Sequence, residues 1–254
     1  MPADVSARPE FVILTHVRSG SSLLADLMAR NGIGNAEEHL NQRVLAKGDR
    51  AWDPDEVLAA ARRQELSNYF GSKVMVHWLD DVKRHAGVPA ASDAQVLERL
   101  FAEGFVTIHL YRADTVAAAV SFTLAELSGK WHQVDGKAVG YPSKSTFQVP
   151  RWAALEPLIS DNVAWLDACK ERLRLMAATL DPPVVEMRYE DLACDKGVQL
   201  KRAVSAIPGT DGLPLTIQSG HAKLADKQSQ ELCLRWRAEH PEYEAAPAAR
   251  EARM

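Results

Sequence analysis

One stretch, Phe11 to Asp26 (FVILTHVRSGSSLLAD), constrains this chain more than any other. Phe11–Leu14 is an unbroken apolar run closed by Thr15, and Leu23, Leu24, Leu27 and Met28 recur at helical spacing. The segment therefore reads as a buried strand, a small polar turn and a helix. The turn, Arg18-Ser19-Gly20-Ser21-Ser22, carries a single cation. Amides at a helix start have no acceptor inside the helix, and the helix dipole favours negative charge there. Gly20 permits a tight turn or a close approach, the serine hydroxyls can donate, and a guanidinium fork matches phosphate or sulfonate oxygens. Two readings follow: an anion cradle, or an ordinary strand–turn–helix joint with Ser21 or Ser22 as N-cap.

The remaining pattern alternates strands and helices. A helix is predicted from about Pro54 to Tyr69 with Asp53 as cap, a second strand over Lys73–Trp78, and a helix over Asp93–Phe101. A third strand over Phe105–Leu110 leads into a helix near Thr115. Lys130–Pro150 reads as a surface loop or lid, Trp152–Leu180 as one long helix or two, and Val184–Arg188 as a fourth strand followed by helix. Such alternation predicts an α/β three-layer sandwich, a central parallel sheet flanked by helices, with ligands at the carboxyl ends of the strands. The 254 residues show no linker, so a single domain over 1–254 is expected, with 1–9 and 242–254 flexible. A formal charge of −4 argues against a nucleic-acid partner. No apolar run approaches the roughly 20 residues of a membrane helix. The N-terminus has no hydrophobic signal core, which reads as a soluble, cytoplasmic protein. Cys169, Cys194 and Cys233 are scattered and form no disulfide framework, and no histidine spacing suits a metal.

A second constellation lies in His109–Trp131. Arg112 follows the third strand, and Asp114 or Thr115 can cap the next helix. Val116, Ala119, Val120, Thr123 and Leu127 form that helix's apolar stripe, and Ser121 stands more than about 90° from its centre. Alone, Arg112 reads as a surface or ion-pairing arginine and Ser121 as a solvated position. Together, and beside the first loop, they form a clamp for a second phosphate.

These segments resemble the sulfotransferases that use 3′-phosphoadenosine 5′-phosphosulfate (PAPS), which have a P-loop NTPase-like fold. THVRSGSSLL resembles their 5′-phosphosulfate loop and YRADTVAAAVS their 3′-phosphate motif. The likeness is greatest to the bacterial Stf0-type, trehalose 2-sulfotransferase-like branch. Gly34–His39 (GNAEEH), Phe70–Met75 (FGSKVM), Ser128–Trp131 (SGKW) and Tyr189–Leu192 (YEDL) match that branch in order and spacing. Many members have lysine where this chain has Arg18, Arg112 and Ser121 stand nine positions apart, and His39 replaces a usual aromatic.

The resemblance implies PAPS as donor, PAP (adenosine 3′,5′-bisphosphate) as product and no metal, with Arg18, Ser19, Gly20, Ser21, Ser22, Arg112 and Ser121 holding the donor. Lys227, in Ala225–Ser229, is the candidate cation of a C-terminal nucleotide loop. Arg18 also has a catalytic role, stabilising the charge that develops on the departing 5′-phosphate. Glu38 is the first candidate for general base, with Glu37, His39 and His77 in reserve. Glu38, His39, His77 and Trp131 are expected to meet the acceptor, between walls formed by 32–53 and 130–150. There Trp131, His132, Tyr141 and Trp152 either stack on a sugar, cover a lipid chain or pack the fold. Tyr189-Glu190-Asp191 either meets the nucleotide or caps a helix. The expected acceptor is a hydroxyl of a small carbohydrate or polar lipid. Peripheral membrane contact and a homodimer are compatible with the branch. The competing readings are a non-catalytic nucleotide- or partner-binding relative and a P-loop kinase; the latter lacks here the first glycine and lysine of its loop and an acid after the third strand.

Overall fold

The computed structural model describes residues 8–41, 52–134, 137–140, 147–181, 184–220 and 227–244. Four parallel strands form the central sheet: β1 (Glu10–Thr15), β2 (Phe70–Met75), β3 (Val106–Tyr111) and β6 (Val184–Arg188), in the order β2-β1-β3-β6. Every residue of β1, β2 and β3 is buried, as expected of parallel strands covered on both faces. Successive side chains alternate between those faces. Phe11, Ile13, Ile108 and Leu110 pack against helices α1 (Ser21–Arg30) and α8 (Lys196–Val204). Val12, Leu14 and Val74 pack on the other side against α2 (Pro54–Gln64), α3 (Leu79–His85), α4 (Asp93–Leu100) and α6 (Trp152–Ala177). Each fully buried leucine or phenylalanine contributes roughly 2 kcal/mol. The fold is α/β with a central parallel sheet flanked by helices, as the sequence implied.

A third apolar cluster joins α5 (Thr115–Ser128), α6 and α9 (Lys227–Glu239) beside the sheet. Short helices α7 (Tyr189–Cys194) and α10 (Pro241–Glu244) complete the described elements. The terminal boundaries expected to be flexible are partly tied down. Arg8 donates to the Glu65 carbonyl at 2.8 Å, and the Tyr243 hydroxyl meets Asp167 at 3.2 Å.

Three boundaries differ from the sequence reading. The second strand is Phe70–Met75, not Lys73–Trp78, because pairing with β1 runs from Glu10–Phe70 to Thr15–Met75, and Val76–Trp78 form a 3₁₀ turn. Helix α2 stops at Gln64 rather than Tyr69. There the Glu65 carboxylate accepts the Ser67 amide at 2.9 Å and the Ser67 hydroxyl accepts the Tyr69 amide at 3.1 Å, local bonds that compete with the helix. Lys130–Pro150 is not simply a loop: β4 (Lys130–Val134) and β5 (Lys137–Gly140) pair as an antiparallel hairpin. The long segment from Trp152 is one helix, with Pro157 within it.

Candidate functional site

From β1 the chain runs to β2 on one side and then to β3 on the other. Strand order therefore reverses between β1 and β3, and the crevice outside their carboxyl ends is where open α/β sheets bind ligands. The ends of β1, β3 and β6 are neighbours there, joined by polar contacts. Buried Thr15 donates to the Leu110 carbonyl at 2.6 Å, and its hydroxyl lies 2.5 Å from that of Ser19. His16 Nδ1 bonds the Val17 carbonyl at 2.8 Å while Nε2 accepts the Arg112 amide at 3.2 Å. That pairing fixes a neutral imidazole, and burial pushes the His16 pKa down to about 3. The Glu190 carboxylate accepts the amides of Ala113 and Asp114 at 3.1 and 3.2 Å. Through Glu190 the Tyr-Glu-Asp motif thus holds the turn after β3.

The helix begins differently from the serine-cap reading. Gly20 is the N-cap of α1, in left-handed conformation at φ 84°, and no side chain caps the helix. The first-turn amides of Ser21 and Ser22 consequently have no acceptor among the described residues. A Cβ at Gly20 would also stand 2.3 Å from the Tyr189 ring, so loop and ring meet at a distance only glycine allows. Ser19 and Ser21 are buried and Ser22 is partly exposed.

Two arginines converge here. Arg18 is held at φ 60°, rare for a residue with a side chain. Its Nε donates to the Ser121 hydroxyl at 2.9 Å across 103 positions of sequence, and its Nη1 donates to the Trp131 carbonyl. Burial, and then the charge of Arg112, push the Arg18 pKa down to about 10. Arg112 lies over the Tyr189 ring with Cζ at 4.9 Å, and its buried Nε has no partner. Among the described residues neither guanidinium has a carboxylate within ion-pair distance. The off-stripe reading of Ser121 agrees with its partial exposure and its bond to Arg18.

The Glu38 segment reaches the opposite edge of the sheet. Glu37 bridges Ser72 as a one-residue extension, with the Lys73 amide donating to the Glu37 carbonyl at 2.9 Å. Gly71 makes room, since a Cβ there would meet the Phe11 ring at 2.2 Å. Glu38 Oε2 accepts from Asn41 at 2.7 Å and Oε1 lies 2.9 Å from Lys73 Nζ. Lys73, only 6% exposed, also donates to the Ser22 hydroxyl at 3.1 Å. Lys73 stands within the FGSKVM match, to which the resemblance attaches no role for it. The available signal was a lysine inside an otherwise buried strand, which lysine rarely tolerates without a partner.

Other candidates are placed less centrally. His39 stacks on Phe70 with ring centres 5.5 Å apart and meets Ser72 at 3.2 Å, and burial lowers its pKa. His77 lies in the 3₁₀ turn, edge-on to Trp165 at 5.2 Å. Phe122 links Trp165 to Trp131 at 5.3 and 5.8 Å, so His77 and Trp131 flank one aromatic cluster. Trp152 donates to Glu239 at 2.8 Å. Lys227 makes no contact with the crevice residues among the described contacts: its side chain is 91% exposed and lies 3.8 Å from Glu231, one helical turn on. Ala225, Asp226, Tyr141 and residues 42–51 of the expected acceptor wall lie outside the described residues, as does the side chain of His132. Cys169, Cys194 and Cys233 are free thiols. Among the described residues no group of three or more His, Cys, Asp or Glu is arranged to hold a metal, and no helix is long and apolar enough to cross a membrane.

No curated protein matches the chain. The family model of the Stf0 sulphotransferases matches residues 10–239, spanning the whole sheet, the loop after β1, the Glu38 segment and the Arg112–Ser121 stretch. With that match over most of its length, the chain belongs to the Stf0 sulphotransferase family.

Proposed function

We propose that the chain, as a single domain, transfers the sulfuryl group of PAPS to a hydroxyl of a small carbohydrate or polar lipid, with Glu38 as general base. One observation carries the reading: Arg18, Arg112, Ser121 and the uncapped start of α1 converge on one crevice, and among the described residues neither cation has a carboxylate partner. The buried Nε of Arg112, unpartnered among the described residues, and the close approach at Gly20 fit a multiply charged anion. In this reading the first turn of α1, Ser22 and Arg18 hold the 5′-phosphosulfate and Arg112 with Ser121 hold the 3′-phosphate. Bound PAPS supplies an activated sulfuryl group, its S–O bond to the 5′-phosphate breaking, with the electron pair left on that phosphate, as the S–O bond to the acceptor forms. Glu38 takes the proton released by the acceptor hydroxyl. Arg18 offsets charge on the departing phosphate, and cationic positioning of this kind is the main demand of in-line group transfer. The hairpin β4–β5 and the His77–Trp165–Phe122–Trp131 cluster are the proposed acceptor side.

Three measurements test this. PAP should raise the melting temperature where ATP does not; the reverse result favours a kinase. Radiolabelled PAPS should pass its sulfuryl group to an acceptor in a cell extract, and binding of PAP without transfer favours a non-catalytic relative. Glu38→Gln should bind PAP as wild type does while turnover falls about 10²- to 10⁴-fold; undiminished turnover rules Glu38 out as base.

A further inference from the structure

Lys73 stands at the point where the donor loop and the base candidate meet. The ammonium bonds Ser22 on the first turn of α1 at 3.1 Å and Glu38 on the edge segment at 2.9 Å. Those two contacts place the Ser22 hydroxyl and the Glu38 carboxylate no more than about 6 Å apart. An anion held at the start of α1 and a carboxylate at that separation repel each other, strongly so away from bulk water. A buried ion pair is also weak evidence for stability, since an apolar pair of similar volume often serves as well. The residue's placement across two segments calls for another explanation. Its third N–H has no partner among the described residues.

We propose that Lys73 is the positioning residue that lets an anionic donor and an anionic base share this site: its ammonium neutralises Glu38 toward the donor loop and holds the carboxylate facing it. The inference rests on the PAPS reading above. Lys73 acts through Ser22 and Glu38. Nearby, Glu37 accepts from Asn35 at 2.7 Å, and burial lowers the pKa of His39 against the charges of Glu37 and Glu65, with Arg62 adding to the lowering. Of these groups, Lys73 is the one whose ammonium lies 2.9 Å from Glu38 Oε1. Backbone pairing of Glu37 with β2 fixes the segment, and the ammonium fixes the side chain.

The test measures PAP affinity by titration calorimetry, beside thermal melting, and needs no acceptor. Lys73→Met should weaken PAP binding about tenfold or more, because it removes the ammonium that bridges Ser22 and Glu38 and so the positive charge between that carboxylate and an anion at the start of α1. Adding Glu38→Gln to Lys73→Met should recover most of that loss, and Lys73→Arg should stay within about threefold of wild type. If Lys73→Met does not fold, the neutral Lys73→Met/Glu38→Gln pair carries the test. Its affinity should then fall within about threefold of wild type, and a loss of about tenfold or more overturns the proposal. A melting-temperature change with PAP affinity unaltered makes Lys73 structural and overturns the proposal, as does a double variant no better than Lys73→Met alone. Failure of the wild type to bind PAP overturns the donor reading itself, and the coupling with it.

Discussion

Arg172 and Arg18 show two uses of a partly buried guanidinium in one molecule. On α6, Arg172 meets Asp93 and Asp80 through four contacts of 2.5–2.9 Å, and Lys83 supports the same carboxylates. Hydrogen bonds that Arg172 donates to Asp93 raise the Arg172 pKa, against burial, and Asp80 adds to the effect. The network ties α3, α4 and α6 into one layer. Among the described residues Arg18 has only the neutral oxygens of Ser121 and Trp131, and burial with Arg112 beside it lowers its pKa to about 10. One cation is satisfied by the fold. The other is held in place with its charge unanswered, the arrangement expected of a residue whose counter-ion arrives with a ligand.

The largest break in this comparison should come from neutralising both unanswered cations. Arg18→Met/Arg112→Met should weaken PAP binding at least about a hundredfold, read by calorimetry, while melting temperature holds or rises because two crowded charges are gone. Acid separates the regions next. The His16 pKa is depressed in the folded state, so its contribution is complete above pH 6.5 and is lost as pH falls toward 3. Between pH 6.5 and 5 wild type should lose about 2 kcal/mol that His16→Asn does not, seen in urea melts across that range. Asp80 and Asp93 are also depressed, from 3.8, so their contribution weakens only at lower pH. Arg172→Met should cost about 1–2 kcal/mol of stability, moderated by Lys83, with PAP affinity within twofold of wild type. Ser121→Ala should have the smallest effect, about three- to tenfold in PAP affinity.

How legible was the site? Gly20, Ser22, Arg112 and Ser121 were visible because a strand–turn–helix joint, a strand end and a helical periodicity are local patterns. Of the two readings open for the turn, the serine cap is the one not found, for a local reason: serine is the commoner N-cap, yet the close approach of Tyr189 requires glycine at position 20. For Lys227, charge and an approximate position carry no information on which way a helix start faces, and its side chain is 91% exposed. Lys73 was passed over because its two partners lie 51 and 35 positions away.

The sequence by itself determined the alternation of strands and helices, the layered α/β class and the presence of a loop suited to an anion. Each follows from side-chain periodicity and backbone chemistry within about a dozen residues. Tertiary structure decided that β1 lies between β2 and β3, and so which side chains share the crevice. That order brings Arg18 to Ser121, His16 to the Arg112 amide, and Lys73 to both Ser22 and Glu38. Strand order is set by which apolar faces bury one another, and only once they are buried does a charge such as Arg18 or Lys73 find, or lack, its partner.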